Sequence, residues 1–229
     1  MLLDDLKLHA SSVVANNAMN RERQLTGVNS YAKELGFDPL SRLTGAGSAW
    51  LDLCCGSGRA LTQAAVRLRA AHQPADVTLM GVDLVAPPET PGVTFVEAAI
   101  GDWAPERRFD LITCVHGLHY VGDKLGVLGR VLTWLTPTGT FVADLDLASV
   151  RIAANERAGT NERVGTNERA SARLRAMLRA ADVGYDARRR RVTCTGPRDL
   201  DLPFRYLGAD DKAGPNYTGQ PAVNSYYED

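Results

Sequence analysis

Apolar positions along this chain follow two periods in turn. Residues 49–53, Ala-Trp-Leu-Asp-Leu, form a short apolar run of the kind that makes a buried strand, and from 59 to 71 apolar side chains recur at helical spacing in a stretch rich in Ala, Leu and Arg. The exchange repeats downstream, with strands at 77–82, 93–96 and 109–115, a helix at 124–135, and a strand at 139–143 behind the turn Thr136-Pro137-Thr138. Strands alternating with helices predict a parallel sheet covered on both faces. Residues 2–17 and 30–35 read as helices joined by the polar segment Met19-Asn20-Arg21-Glu22-Arg23, giving a helical cap over 1–44 ahead of a core over 45–150. Beyond the core, 171–181 is helical with Gly184 as its stop, and 190–195 and 204–207 are strands separated by the turn Gly196-Pro197-Arg198-Asp199. Residues 151–229 therefore complete the same domain with a linker, a last helix, C-terminal strands and a tail.

Two segments break the pattern. Asn155-Glu156-Arg157, Asn161-Glu162-Arg163 and Asn167-Glu168-Arg169 repeat every six residues. Six positions turn a helix by roughly 240°, so the triplets spiral instead of lining a face. An exposed linker expanded by duplication is expected there, with a polar helical lid as the alternative. The four arginines 188–191 enter a strand, and are expected to be a solvated face that blocks edge pairing and not a nucleic-acid patch.

Composition narrows the class. A chain of 229 residues with 45% hydrophobic content holds one domain with a substantial core. A formal net charge of −1 offers no general attraction to nucleic acid or anionic membrane, so a small-molecule substrate is expected. No apolar run is long enough to span a bilayer, and Leu2-Leu3-Asp4-Asp5 lacks the regions of a signal peptide, so a cytoplasmic protein is expected. Cys54 and Cys55 are adjacent, Cys114 and Cys194 sit in strand-like runs, and none forms a Cys-x-x-Cys pair; a reducing compartment without a disulfide framework or zinc site follows. Arginine far outnumbers lysine and alanine is abundant, which hints at a GC-rich coding sequence and a bacterial source.

Candidate chemistry begins where the run 49–53 meets the helix at 59. Asp52 stands at the end of the strand and Gly56-Ser57-Gly58 fill the turn. Gly56 and Gly58 allow backbone conformations closed to other residues and let a ligand approach the chain, and the helix that follows offers its unpaired N–H groups. A carboxylate at this mouth repels a pyrophosphate and welcomes a ligand that carries an ammonium and a sulfonium. The dinucleotide fingerprint further requires a third glycine where Leu61 stands. The run Leu51-Asp52-Leu53-Cys54-Cys55-Gly56-Ser57-Gly58 resembles motif I of the class I S-adenosylmethionine-dependent methyltransferases. The resemblance covers approximately residues 43–145; it implies S-adenosylmethionine as cofactor and an α/β, Rossmann-like, seven-stranded, mostly parallel sheet whose last strand runs antiparallel.

Further residues extend it. Asp83 closes the second strand, 25 residues after Gly58, where an acid can accept both ribose hydroxyl protons, with Leu84 beside it; a helix-capping aspartate is the alternative. Gly101-Asp102-Trp103, after Ala98-Ala99-Ile100, occupies the place where methyltransferases of this type hold adenine: Asp102 would accept from the exocyclic amino group, and Trp103 or Ile100 would cover the ring. Cys54, Ser57 and Val115 complete the cofactor contacts, and Tyr31 would reach the methionine carboxylate or close over the acceptor. Methyl transfer is an in-line displacement that depends on positioning, and a hydroxyl or ammonium acceptor must also lose a proton. In Cys114-Val115-His116-Gly117-Leu118-His119-Tyr120, His119 is the first candidate base and His116 the second.

Arg21 and Arg23 could bind an acidic substrate group. Asp144 and Asp146 could suggest a catechol-type metal site, but no metal is expected, because the supporting acid-asparagine pattern is not evident and no further ligands accompany the histidines at useful spacing. The chain has no Asn-Pro-Pro-Tyr or Asp-Pro-Pro-Tyr, so the resemblance disfavours DNA bases as acceptors. The aromatic tail with Tyr217, Tyr226 and Tyr227 packs back on the domain, covers the pocket or meets another subunit, which leaves a homodimer open; a disordered end is the alternative. The expectation is a methyltransferase that modifies an oxygen or nitrogen of a small molecule, a bacterial secondary metabolite. A noncatalytic binding protein and an NAD-dependent oxidoreductase are the alternatives.

Overall fold

The computed structural model describes residues 2–18, 23–71, 76–153 and 166–229. Its centre is a seven-stranded sheet built from β1 (Ala49–Leu53), β2 (Thr78–Asp83), β3 (Thr94–Glu97), β4 (Phe109–Cys114), β5 (Leu135–Asp144), β7 (Gly184–Asp186) and β8 (Arg191–Thr195). The order is β3-β2-β1-β4-β5-β8-β7. The first five strands are parallel, and β8 runs antiparallel to both β5 and β7. The expected Rossmann-like sheet with an antiparallel last strand is therefore present. Strand order reverses between β1 and β4, which opens a crevice at the carboxyl ends of the strands.

Period-two burial explains why both faces are covered. Ala49, Leu51 and Leu53 of β1 point to the face packed by α5 (Lys124–Thr133) and α6 (Thr166–Ala180), through Leu125, Leu128, Leu132, Leu174 and Leu178. Trp50 points the other way, into Ala60, Leu61, Ala64 and Ala65 of α4 (Arg59–Ala70) and into Leu25 and Tyr31 of the N-terminal cap, where Tyr31 opens α3 (Tyr31–Leu35). A five-residue strand buried throughout has no solvent face, so its sequence reads as an apolar run broken only by Asp52.

Several boundaries differ from the sequence expectation, each for a local reason. The helix expected over 2–17 is two helices, α1 (Asp5–His9) and α2 (Ser12–Ala18), because the Ser11 hydroxyl accepts the Val14 N–H and restarts the chain. The helix stop placed at Gly184 lies earlier: Asp182 adopts φ +57, its N–H donates to Arg179 O, and the Val183 N–H donates to Leu178 O, a Schellman closure made without glycine, while Gly184 opens β7. The turn at 136–138 is an excursion inside β5, since Phe109 pairs with Leu135 while Leu111 pairs with Thr140. The third copy of the six-residue repeat lies in α6, so it is not linker; the first two copies fall outside the described residues. The arginine run is the β7–β8 hairpin turn, and β8 is flanked by β5 and β7, so it guards no sheet edge.

A second sheet was not anticipated. β6 (Val150–Ala153), β9 (Arg205–Asp210) and β10 (Asn224–Glu228) pair in the order β6-β10-β9, with Leu3 bridging to Ala209 at the edge. This sheet is fastened to the start of α5 by Lys124, a fully buried lysine whose Nζ donates to Val121 O (2.9 Å), Val223 O (2.9 Å) and Ser225 Oγ (2.7 Å). The Tyr227 hydroxyl adds a second tie, accepting the Leu125 N–H at 3.0 Å. The tail thus packs back on the domain.

Lys124→Ala leaves three acceptors without their donor and is expected to destabilise the fold by about 3 kcal/mol, read as a lowered urea midpoint. Burial pulls the Lys124 pKa down to about 7, against the attraction of Asp210, Asp123 and Asp146. An unfolded lysine titrates near ~10.4, so between about 7 and about 10 only the unfolded chain holds the proton, and stability rises with pH across that window. The slope is expected to be missing from Lys124→Ala.

Candidate functional site

The turn between β1 and α4 is held from below. Asp52 is 1% exposed, and its carboxylate accepts the Tyr31 hydroxyl at 2.7 Å on one oxygen and the Thr113 hydroxyl at 2.7 Å on the other; Thr113 in turn accepts the Trp50 indole N–H at 2.8 Å. Burial, followed by the charge of Asp52, raises the Tyr31 pKa, so the phenol stays a donor. From the neighbouring strand, Asp83 accepts the Gly56 N–H at 2.8 Å and the Leu84 N–H at 2.8 Å. Gly56 and Gly58 take φ +59 and +65. A Cβ on Gly58 would stand 2.3 Å from Cζ of Phe95, so the bare backbone here is also a packing requirement. The N-cap of α4 is Gly58, which has no side chain to cap it.

Above this turn opens a cleft whose empty space, open solvent included, is about 610 Å³. Cys54, Asp83, Leu84, Ile100, Gly101 and Gly117 contribute to its walls, and Asp5, His9 and Val14 bring α1 and α2 over it. A carboxylate in the cleft wall, as Asp83 is, can accept both hydroxyl protons of a vicinal diol. Gly101 has open space where a Cβ would lie. At Gly117 a Cβ would meet Cys54 Cβ at 2.5 Å and Cys114 Sγ at 2.6 Å, so a side chain there would be driven into its neighbours.

The other half of the crevice, beyond β4 and β5, is polar. His116 follows β4 with φ +63, and its Nε2 lies 3.7 Å from Asp144 Oδ2 at the end of β5. Asp144 is 1% exposed, and its other oxygen accepts the Arg191 Nε and Nη2 at 2.8 Å. Arg191 also donates to the Glu34 carboxylate at 3.1 Å and to the Glu34 backbone carbonyl. Burial pushes the Asp144 carboxyl above the usual carboxylate range, and Arg191 opposes that push. Tyr217, from the β9–β10 connection, sets its hydroxyl 3.3 Å from His119 Nε2 and its ring 4.3 Å beneath the Arg190 guanidinium.

Most of the residues singled out in the sequence meet here, though not always in the expected posture. Cys54, Gly56, Gly58, Asp83, Leu84 and Gly101 surround the cleft or the turn beneath it, while Ser57 is exposed on the turn. Asp52, Tyr31 and Val115 are buried beneath it. The Trp103 indole packs edge-on against Trp134 with ring centroids 5.7 Å apart, and Ile100 is among the apolar residues in the cleft wall. Asp102 is exposed and its N–H donates to Ala99 O, so it shapes the turn beside the cleft and does not line it. Arg23 pairs with Glu34 at 3.6 Å, and Arg21 lies outside the described residues. The expectation of a purely solvated arginine run also fails, since Arg191 is 7% exposed and belongs to the site.

Glu34 and Arg191 were missed as site residues, Asp144 was weighed only for a metal, and Tyr217 was read only as part of an aromatic tail that could cover the pocket. Asp144 shares the signal of Asp52 and Asp83, an acid at the end of an apolar strand. Donor atoms of Glu34, His116 and Asp144 do converge within 4.8 Å of one another, a spacing a cation could fill. The Arg191 guanidinium already supplies positive charge to both carboxylates.

The family model of the methyltransferase domain matches residues 25–191. Trans-aconitate 2-methyltransferases of Acidovorax sp. (strain JS42) and Acidovorax ebreus (strain TPSY) are each 33% identical over 101 residues, 42% of this chain and 37% of theirs. The chain thus spans just over a third of the length of the curated relatives it matches. Among solved structures, the plantazolicin methyltransferase BpumL in complex with SAH is 17% identical over 48% of this chain and 44% of its own, with a TM-score of 0.38. CalS10, an amino pentose methyltransferase from Micromonospora echinaspora, is 20% identical over 46% and 45%, with a TM-score of 0.35.

Tyr31→Phe takes a donor from a buried carboxylate and is expected to cost about 2 kcal/mol in chemical denaturation. Gly58→Ala, which forces a Cβ into Phe95 at a left-handed φ, is expected to cost about 3 kcal/mol in the same measurement.

Proposed function

Because the chain belongs to the class I S-adenosylmethionine-dependent methyltransferase family, we propose that it transfers a methyl group from S-adenosylmethionine to an oxygen or nitrogen atom of a small molecule. The observation that carries this reading is Asp83: a buried carboxylate at the end of β2 that faces the cleft while holding the glycine turn by the Gly56 N–H. Its carboxylate would accept the ribose hydroxyl protons, Ile100 and Gly101 would flank adenine, and Cys54 and Gly117 would border the sulfonium. When bound, the cofactor supplies an electrophilic methyl on a positively charged sulfur. The chain's own part is to hold that methyl in line with an acceptor on the His116 and His119 side and to keep water away while α1 and α2 cover the cleft.

The charged and hydrogen-bonding groups around His116 and His119 support a small polar acceptor. Among the described residues no helix is long and apolar enough to cross a membrane, and no disulfide links the four cysteines. A cytoplasmic setting, in secondary metabolism of a bacterium, is the setting we propose.

Titration calorimetry with S-adenosylmethionine, S-adenosylhomocysteine and NAD tests the cofactor. The first two are expected to bind, and Asp83→Ala to weaken both by at least about tenfold, as loss of one charge-assisted hydrogen bond implies; binding of NAD alone would sink the proposal. Radiolabelled donor, offered with phenols, amines and carboxylic acids including trans-aconitate, the acceptor named for the matched relatives, then reads the acceptor class.

A further inference from the structure

We propose that Asp144 is a positioning residue that turns the His116 imidazole into the proton acceptor for a neutral hydroxyl substrate, an assignment that rests on the methyltransferase reading above. Three observations carry it. The Asp144 carboxylate is buried and locked in direction: Arg191 takes one oxygen, and the other faces His116 Nε2 at 3.7 Å. His116 is half-buried and stands at the exit of β4 in a left-handed conformation that costs a non-glycine residue about 1–2 kcal/mol, a posture the surrounding structure must enforce. Gly117, the next residue in the chain, lines the cofactor cleft, which brings the backbone at His116 to its rim.

The charges around this ring select the acceptor. Glu34 and Asp144 meet Arg191, Glu34 also meets Arg23, and Asp146 meets Arg190 at 3.4 Å, so three acids and three arginines cancel. Such a wall has no surplus negative charge to draw an ammonium substrate and no surplus positive charge to draw a carboxylate. A carboxylate would also need no base, because it is already deprotonated at neutral pH, and a neutral amine attacks through its lone pair before losing its proton. A hydroxyl is the acceptor whose reactivity depends on a base during bond formation. The remaining groups on the ring are His119, 5.8 Å away between centroids, and Tyr217, 6.5 Å away, whose phenol burial holds above its usual range. His119 is the more buried histidine, and its carbonyl accepts the Val223 N–H, which ties it to the tail.

The step balances within these groups. The acceptor oxygen bonds to the methyl carbon as the sulfur–carbon bond breaks, and that electron pair remains on sulfur. The O–H bond breaks, its proton passes to an imidazole nitrogen of His116, and the imidazolium so formed faces the Asp144 carboxylate until product release returns the proton to water.

The test follows the ring itself. The chain has four histidines, and imidazole C2–H resonances assigned with His116→Gln report each titration separately. In Asp144→Asn the His116 midpoint is expected to move to lower pH by about one unit, the effect of removing one opposite charge, and to return in Asp144→Glu. An unmoved midpoint overturns the proposal. Because Asp144→Asn also loosens Arg191, His116→Gln provides an independent arm. Transfer of label to phenol or 4-nitrophenol is expected to fall at least 100-fold while the Kd for S-adenosylhomocysteine stays within threefold; unchanged transfer, label confined to benzylamine, or transfer abolished by EDTA and restored by magnesium would each overturn it. A protein that binds no S-adenosylhomocysteine defeats the cofactor reading, whereas the imidazole titration tests the Asp144–His116 pair without any cofactor.

Discussion

A carboxylate taken out of water must be supplied with donors, and in this fold that demand falls on the carboxyl ends of three strands. Asp52, Asp83 and Asp144 close β1, β2 and β5 and are 1%, 6% and 1% exposed. An uncompensated buried charge costs several kcal/mol, so each acid dictates what must come to meet it. Asp52 draws α3 and β4 together through Tyr31 and Thr113, Asp83 draws the glycine turn against β2, and Asp144 draws the antiparallel β8 through Arg191. Asp83 lines the crevice directly, while Asp52 and Asp144 tie together the elements beside it. Without these acids the sheet could still form, because its strands are apolar, but nothing would fix the loops at its edge.

Two non-glycine residues show how firmly the loops are fixed. Cys54 and His116 hold φ +54 and +63, one at the exit of β1 and the other just past that of β4. Glycine in either place would relieve about 1–2 kcal/mol of backbone strain. Both side chains are used instead: the Cys54 sulfur packs where a Gly117 Cβ would stand and forms part of the cleft wall, and the His116 ring is delivered to Asp144. Cys54 lines the cleft and His116 directly precedes Gly117, which also lines it, so two left-handed non-glycine residues from two strands indicate a site set in advance of its ligand.

The strands and helices of the core were legible because their burial is extreme. β1 to β5, α4 and α5 come out within a few residues of the expected bounds, and the glycine turn and the acids on either side of it are where the spacing puts them. What the pattern could not show was any element whose partner is remote. β6 and β10 are short, half-polar strands that exist only because they pair with each other and with β9. The stop of α6 was assigned to glycine because glycine is the common solution, and Asp182 supplies the same left-handed residue at a cost that the Val183 hydrogen bond offsets. Arg191 looked like one of four equivalent surface arginines, and only the register of β8 against β5, which sets it opposite Asp144, tells it apart.

The same distinction separates the two halves of the site. Asp83 and Gly56 lie 27 positions apart, inside one strand–helix–strand unit, so the spacing of a local motif is enough to announce them. On the acceptor side Arg191 meets Glu34 across 157 positions and Tyr217 meets His119 across 98. Those contacts depend on the whole sheet being assembled and on Lys124 fastening the second sheet beside α5, so the β9–β10 connection arrives over the two histidines. A cofactor common to a family can be read from a local pattern because the chain builds its cradle locally. The side we propose for the acceptor is assembled from the cap, the hairpin after α6 and the tail, where no periodicity marks the residues that meet. Substitutions in those three segments can alter the acceptor while the carboxylates under the glycine turn, and the donor they serve, stay as they are.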